Sequence, residues 1–261
     1  IVETAQSAGV FETLLAAAQA AELVDYIDSS VPKTVFAPTD DAFAALPDGT
    51  VDSLLDPENQ GQLHQIIRYH IVEGAVTSGQ LSNGYVQTAA NIGLKVTLSG
   101  GVVLNDSTNV VTADLMAKNG VVHVIDQVLL PPSDTVVDLI AADDELSTLA
   151  AAAEAADLLG TLRSARPLTL FLPTNAAFDK LPEGTVDSLL EDIPTLQNIL
   201  LYHVTMQSIF SNTLSDGPVE MANGGSMTVN TAGPLFNFEG GAANPTAVDI
   251  IGNNGVIHKI D

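Results

Sequence analysis

The chain has no cysteine, no tryptophan, only eight basic side chains and no long apolar run. Without cysteine there is no disulfide framework, no thiol nucleophile and no thiolate metal site. The compartment stays open, because a domain of roughly 130 residues buries about two-thirds of its unfolded surface and folds without bridges. Without tryptophan there is no broad aromatic platform to hold a sugar ring. The eight Lys and Arg stand against 32 Asp and Glu, a net charge of −24. That excess covers the whole surface: four basic and 15 acidic residues fall in 1–130, four and 17 in 131–261. A polyanion meets repulsion there instead of counterion release, which excludes nucleic acid as a partner. Nothing approaches the roughly 18 apolar residues of a membrane span; half of the uncharged run 221–238 is Asn, Gly, Ser and Thr. With 46% hydrophobic residues the chain is also too apolar for an acidic disordered segment. It opens at Ile1 with no initiator methionine and no signal peptide, and is expected to be a mature or trimmed polypeptide.

What the chain does have is a repetition. FAPTDDAFAALPDGTVDSLL at 36–55 returns as FLPTNAAFDKLPEGTVDSLL at 171–190, with 14 of 20 positions identical at an offset of 135. Tyr69-His70 returns as Tyr202-His203, and NGVVHVID at 119–126 as NGVIHKID at 254–261. A period of this length is a whole domain, too long for a solenoid repeat. Two domains are expected, 1–130 and 136–261, joined by a short, stiff linker at 131–135 that contains Pro131 and Pro132. After Asp126 the first copy continues Gln127-Val128-Leu129-Leu130; the second stops at Asp261, so its final strand is expected to be cut short.

Each copy starts helical. Phe11, Leu14, Leu15, Ala18, Leu23 and Ile27 recur as Leu146, Leu149, Ala150, Ala153, Leu158 and Leu162, a helical spacing that turns one face inward. A short strand (Thr34-Val35-Phe36, Thr169-Leu170-Phe171) runs into Pro38 or Pro173. Thr39 or Thr174 then stands where an N-cap is needed. Short helices follow from Gly49-Thr50 and Gly184-Thr185, then longer ones through Leu63, Ile66, Ile67 and His70, or Leu196, Ile199, Leu200 and His203. Beyond them, short β-rich runs alternate with Asn/Gly/Ser/Asp turns, as in an antiparallel sheet. Helices first and strands afterwards predict an α+β fold in each domain.

The catalytic motifs are missing: no GxSxG elbow, no HExxH, no P-loop and no GxGxxG. The pairs Asp143-Asp144 and Glu191-Asp192 read as solvated faces, not as a general acid and base. Asp56-Pro57-Glu58-Asn59 and Asn105-Asp106 offer oxygens without an EF-hand pattern. The histidines do not converge on a metal. His64 and His70 lie about 240° apart around a helix, and His123 and Asp126, like His258 and Asp261, are three apart on a strand and face opposite ways. No metal and no cofactor is expected. His70 and His203, beside apolar helix positions, read as packed imidazoles, with Asp40 and Asn175 as candidate hydrogen-bond acceptors.

The boxes TVFAPTDDAF at 34–43, Tyr69-His70 and VVHVIDQVL at 121–129, repeated as TLFLPTNAAF at 169–178, Tyr202-His203 and VIHKID at 256–261, resemble the fasciclin domain family. That resemblance covers essentially the whole chain. It implies a wedge or sandwich of β-strands with packed helices, and adhesion or matrix interaction in place of catalysis. The protein is then expected to be secreted, displayed on a cell surface or periplasmic. Its partner would be a protein or glycan on a cell surface or in a matrix, with Tyr69, His70, Tyr202 and His203 as candidate contact residues. Thr39, Asp40, His123, Asp126, Thr174, Asn175, His258 and Asp261 would serve as structural residues of the family motif. An extracellular or periplasmic carrier, holding a small apolar ligand between helices and sheet, is the alternative; it requires a pocket of roughly 300 Å³ or more.

A net charge of −24 makes self-repulsion a term in stability. Raising potassium chloride from 0.01 to about 1 M shortens the Debye length from roughly 30 to 3 Å. The melting temperature is expected to rise across that range, as suits a saline habitat. A flat or falling profile would reject the repulsion argument.

Overall fold

The computed structural model describes residues 1–164, 167–233, 235–239 and 241–261. The chain divides into two compact units, Ile1–Pro131 and Pro132–Asp261. In the first, three short helices, α1 (Val2–Ala8), α2 (Glu12–Ala20) and α3 (Val24–Ile27), lead into β1 (Lys33–Pro38). The helices α4 (Asp40–Ala44), α5 (Thr50–Leu55) and α6 (Gln60–Tyr69) follow. The strands β2 (Ile71–Glu73), β3 (Gly84–Gln87), β4 (Gly93–Leu98), β5 (Val102–Leu104), β6 (Thr108–Ala117) and β7 (Gly120–Ile125) complete the unit. The helical spacing seen from Phe11 to Ile27 is interrupted: Glu22 turns left-handed at φ 55°, and Leu23 N–H closes back on the Ala18 carbonyl at 2.9 Å. Leu14, Ala17, Ala18, Leu63, Ile66 and Ile67 then form one core with Val35, Ala37 and Val122 from the sheet.

The seven strands run in the order β2-β1-β7-β6-β5-β4-β3. The expected antiparallel sheet is therefore mixed. β1 pairs parallel with β7, Lys33 opposite Gly120 through to Pro38 opposite Ile125, and the other neighbours are antiparallel. Parallel strands are covered on both faces, and all six residues of β1 and all six of β7 are buried. Neither strand alternates between buried and exposed positions, and Lys33, Thr34 and His123 are buried along with the apolar residues. β6 slips register twice against β7, between Val110 and Leu115, with Asp114 at φ 61°. Such bulges bend a strand. Here the bend lets one strand serve both β7 and β5.

The second unit repeats the plan. Its helices are α7 (Val136–Ala141), α8 (Ser147–Ala155), α9 (Leu159–Ser164), α10 (Asn175–Phe178), α11 (Thr185–Glu191) and α12 (Ile193–Leu201). Its strands are β8 (Leu168–Pro173), β9 (Val204–Thr205), β10 (Gly217–Glu220), β11 (Ser226–Val229), β12 (Phe236–Phe238), β13 (Gly241–Ala243), β14 (Pro245–Gly252) and β15 (Gly255–Ile260). They form two four-stranded sheets, β14-β15-β8-β9 and β10-β11-β12-β13. Phe171 on β8 meets Phe236 on β12 edge to face at 4.7 Å, within a cluster that includes Met221, Met227 and Ile260. β15 pairs parallel with β8 over six residues, as β7 does with β1. The final strand is thus whole, contrary to the expectation of a truncated one, because 127–130 in the first unit is not strand. Of the expected linker residues, Ser133 and Asp134 accept hydrogen bonds from Asn253, and Thr135 caps α7.

The Asn-Gly step before each closing strand explains why the box repeats. Asn254 accepts from Val136 N–H at 2.9 Å and donates to the Leu162 and Arg163 carbonyls, tying α7 and α9 to β15. Asn119 likewise donates to the Ile27 and Ser29 carbonyls. Gly120, at φ 153°, leaves no room for a side chain: a Cβ there would lie 1.8 Å from the Lys33 carbonyl oxygen. The same test at Gly255 meets the Leu168 oxygen at 2.7 Å. Gly120→Ala is expected to cost more than about 3 kcal/mol, since backbone must move. Gly101→Ala, where nothing lies within 4 Å, should stay within about 0.5 kcal/mol. Urea unfolding midpoints at constant slope check both.

Candidate functional site

The Tyr-His pair sits where α6 ends and β2 begins. His70 caps the helix and is 1% exposed. Its Nδ1–H donates to the Ile66 carbonyl at 2.8 Å, and its Nε2 accepts from Leu129 N–H at 2.9 Å. Making both bonds requires a neutral ring protonated on Nδ1. Burial pushes the His70 pKa down to about 4. Tyr69, also 1% exposed, donates to the Gly93 carbonyl and accepts from Asn105, which joins α6 to β4 and the β5–β6 turn. Burial raises its pKa to about 12.

The expected acceptors of the imidazoles, Asp40 and Asn175, have another task. Asp40 accepts from Thr13 N–H at 2.8 Å and Glu12 N–H at 3.2 Å, satisfying the free amides at the start of α2. Asn175 accepts from Thr148 N–H at 3.0 Å at the start of α8 and donates to Asp144 O and Ser147 Oγ. A helix carbonyl four residues back is nearer to each histidine than any carboxylate, which is why the expected pairing fails. The Asp-to-Asn difference changes the pattern: Asp40 takes two amides on separate oxygens, whereas Asn175 takes one amide on Oδ1 and uses Nδ2 as a donor. Partial burial pushes the Asp40 carboxyl up, but the bonds from Thr13 and Glu12 outweigh it and hold the pKa below its ordinary value.

The remaining motif residues also hold backbone. Thr39 caps α4 through Ala42 N–H; Thr174, buried at the matching place, makes no side-chain cap. Asp126 accepts from Asn109 N–H and Nδ2, and Asp261 accepts from Asn244 N–H. His123 and His258 are fully buried, stacked on Phe36 at 5.4 Å and Phe171 at 5.5 Å. His123 donates from Nε2 to the Val76 carbonyl and accepts at Nδ1 from Asp114 N–H. His258 bonds the Ile209 carbonyl and Asp249 N–H in the same way. These two rings therefore carry the proton on Nε2, the opposite tautomer to His70.

Around them lies a network that motif reading missed. Asp114 accepts from Ser78 N–H and Oγ, and Asp249 from Ser211 N–H and Oγ. Thr34 donates to the Gly74 carbonyl and accepts from Val76 N–H; Thr169 does the same with Gln207 and Ile209. The available signal was the repetition of polar residues outside the boxes, Ser78 with Ser211 and Asp114 with Asp249, beside the box residues Thr34 and Thr169. The acidic pairs are partly committed as well. Lys259 bridges Asp143 and Glu145, Asp192 caps α12, Asp56 caps the turn at 57–59, and Asp106 pairs with Lys95.

In the second unit Tyr202 and His203 are half-buried. Tyr202 donates to the Ser226 carbonyl and accepts from Glu239 N–H; His203 Nδ1 donates to the Ile199 carbonyl at 2.8 Å and its ring stacks on Phe238. The gaps between helices and sheet, where a carried ligand would sit, hold about 30 Å³ in the first unit and about 20 Å³ in the second. Both fall far short of the roughly 300 Å³ a carrier requires; an open space of about 300 Å³ beside Phe178 and His203 in the second unit reaches that size. Among the described residues no helix is long and apolar enough to cross a membrane.

Two parallel-closed α+β units, each with a Tyr-His step and a buried closing histidine, define the class, and sequence comparison names it. The fasciclin domain pattern matches residues 9–131 and 144–261, so the chain belongs to the fasciclin domain family. It is 50% identical over 132 residues to Protein sll1483 of Synechocystis sp., covering 51% of this chain and 73% of that protein. It is 31% identical over 232 residues to transforming growth factor-beta-induced protein ig-h3 of Sus scrofa, covering 87% of this chain and 34% of that protein. A solved FAS1 domain pair from the insect cell adhesion molecule fasciclin I aligns over 99% of this chain and 96% of its own at 20% identity, with a TM-score of 0.40. The chain spans about a third of the length of ig-h3.

The His70 geometry has a pH consequence. Its folded pKa, about 4, lies below the ordinary 6.5. Between those values the unfolded chain takes up a proton that the folded chain refuses, so stability falls as pH falls, by up to about 3 kcal/mol. Above pH 6.5 both states are neutral and the effect vanishes; the carboxylates held low act only further down. Urea unfolding from pH 7.5 to 4.5 is expected to show a shallower loss in His70→Gln than in the parent, although the variant starts lower. Parallel profiles would contradict the assignment.

Proposed function

We propose that the tandem is a non-catalytic, extracellular adhesion module that binds a protein or glycan of a cell surface or matrix through its outer surface. The family membership of both halves supports this reading. The observation that carries it is how the polar side chains of the boxes are spent. The imidazoles of His70, His123 and His258 use both ring nitrogens on backbone groups, and Tyr69, Asp40, Asn175, Asp126 and Asp261 hold helix starts and strand ends. Side chains so engaged position the scaffold and leave recognition to what faces solvent, which includes apolar groups such as Val111 and Met116 on β6, 57% and 65% exposed. Tyr69 and His70 would reach a partner only if the first unit opened, whereas Tyr202 and His203 are accessible without that. Contact through the second pair is therefore part of the proposal.

The test is retention of the folded chain, in about 0.15 M salt, on immobilised matrix proteins and glycans, against a control protein of matching charge. Saturable retention on at least one class is expected, unchanged by Tyr69→Phe and reduced by Tyr202→Ala. Retention no better than the control across the panel, or turnover of an ester or glycoside substrate set, would sink the reading.

A further inference from the structure

Four Asn-Gly steps occur in the chain, at 83–84, 119–120, 223–224 and 254–255. At such a step the glycine nitrogen, once hydroxide has taken its proton, can attack the asparagine Cγ, since no side chain on the next residue hinders the approach. The N–Cγ bond forms, Nδ2 leaves as ammonia with a proton from water, and a succinimide ring results. Water then reopens the ring. Cleavage of the new N–Cγ bond gives aspartate; cleavage of the original peptide bond gives isoaspartate.

Three of the four steps are held shut. Asn254 is buried and donates Nδ2 to the Leu162 and Arg163 carbonyls, and Asn119 donates Nδ2 to those of Ile27 and Ser29. Asn223 donates Nδ2 to Asn198, and the nucleophile beside it is taken as well, with Gly224 N–H on the Met221 carbonyl at 2.9 Å. Asn83 differs. It is exposed, its Nδ2 bonds no acceptor among the described residues, and its Oδ1 accepts from Leu98 N–H at 2.6 Å. The leaving nitrogen is therefore free. The Leu98 bond polarises the carbonyl and aims a donor at the oxygen that turns anionic during the attack. Gly84 is the first residue of β3, a strand at the end of the sheet order, where backbone opens at low cost.

We propose that Asn83-Gly84 is a site of spontaneous deamidation in the folded protein, which turns Asn83 into aspartate and isoaspartate. The second unit supplies a further argument, because it already holds the aspartate. At the matching place stands Asp216-Gly217. Gly217 pairs with Val229 as Gly84 pairs with Val96, and Asp216 Oδ1 accepts from Thr231 N–H at 2.7 Å as Asn83 Oδ1 accepts from Leu98. Deamidation thus carries the first unit toward a residue that the same fold accommodates. Its two products then differ in effect. Aspartate keeps the bond to Leu98 and adds a negative charge; isoaspartate routes the main chain through the side chain, lengthens it by one atom and takes residue 83 out of register with Leu98. This inference goes beyond the adhesion reading and stands without it.

The test holds the full folded chain at body temperature and mildly alkaline pH, with a urea-unfolded sample beside it, and maps both by peptide mass spectrometry over time. Labelling by protein isoaspartate methyltransferase counts the isoaspartate. Expected in the folded chain is exchange of NH2 for OH at residue 83, with ammonia released in equal amount, at least about tenfold faster than at Asn119, Asn223 or Asn254. That is a modest part of the roughly 10²–10³-fold that one oxyanion donor supplies in an enzyme. In urea all four steps should convert. Asn83→Gln, which would need a larger ring, should remove the signal at 83 and leave the other three unchanged, and Asn83→Asp should melt with the parent. Conversion at 83 that is no faster than at the other three steps, or that is seen only in urea, would overturn the proposal. So would a lasting signal in Asn83→Gln, and a destabilised Asn83→Asp would overturn the match to Asp216.

Discussion

The parallel pairing of Lys33–Pro38 with Gly120–Ile125, and of Leu168–Pro173 with Gly255–Ile260, joins the first strand of each unit to its last. No short turn can make such a pair, so the intervening chain must cross over and return. Its helices are carried onto one face of the sheet in the process. Both strands are then covered on two sides, every backbone group along them must find a partner inside the protein, and the approach is so close that Gly120 and Gly255 admit no side chain. Closing the pair also sets down Phe36 against His123 and Phe171 against His258.

That closure decides what the buried polar residues do. Loops crossing near the seam leave carbonyls and amides that no ladder satisfies, and an orphaned buried group costs about 1–3 kcal/mol. Neutral histidine, with one donor and one acceptor on opposite sides of a rigid ring, joins two backbone segments at once. His70 ties α6 to the residues after β7; His123 and His258 tie a loop to a bulge. Imidazoles used in this way have both ring nitrogens engaged by backbone groups.

Much of this was legible in the sequence, in a specific way. The repeat located both domains, and the Pro38-Thr39 and Pro173-Thr174 steps, the glycines before α5 and α11 and the apolar spacing of α6 and α12 located the helices, because those signals act within a few residues. The parallel seam was not legible, since β-rich runs with turn residues between them look alike whichever neighbour they pair with. Sequence spacing does not show which partner Asp40 meets; in the fold its oxygens face the amides of Glu12 and Thr13, 28 and 27 residues earlier. Ser78 and Asp114 were passed over because each is unremarkable alone and they meet only through the bulge at residue 114. The recurrence of Ser78 as Ser211 and of Asp114 as Asp249 is the sequence sign of that contact.

Amide hydrogen exchange tests the central place of the seam most directly. If the pairing of β1 with β7 and of β8 with β15 holds each unit together, their amides open only in global unfolding of that unit and are the slowest to exchange. Their opening free energy should equal the unfolding free energy from denaturant, with α2, α6, α8 and α12 at or below it. Seam amides that exchange by a cheaper local opening, while the helices stay protected, would show that the helical layer and not the parallel pair carries the fold.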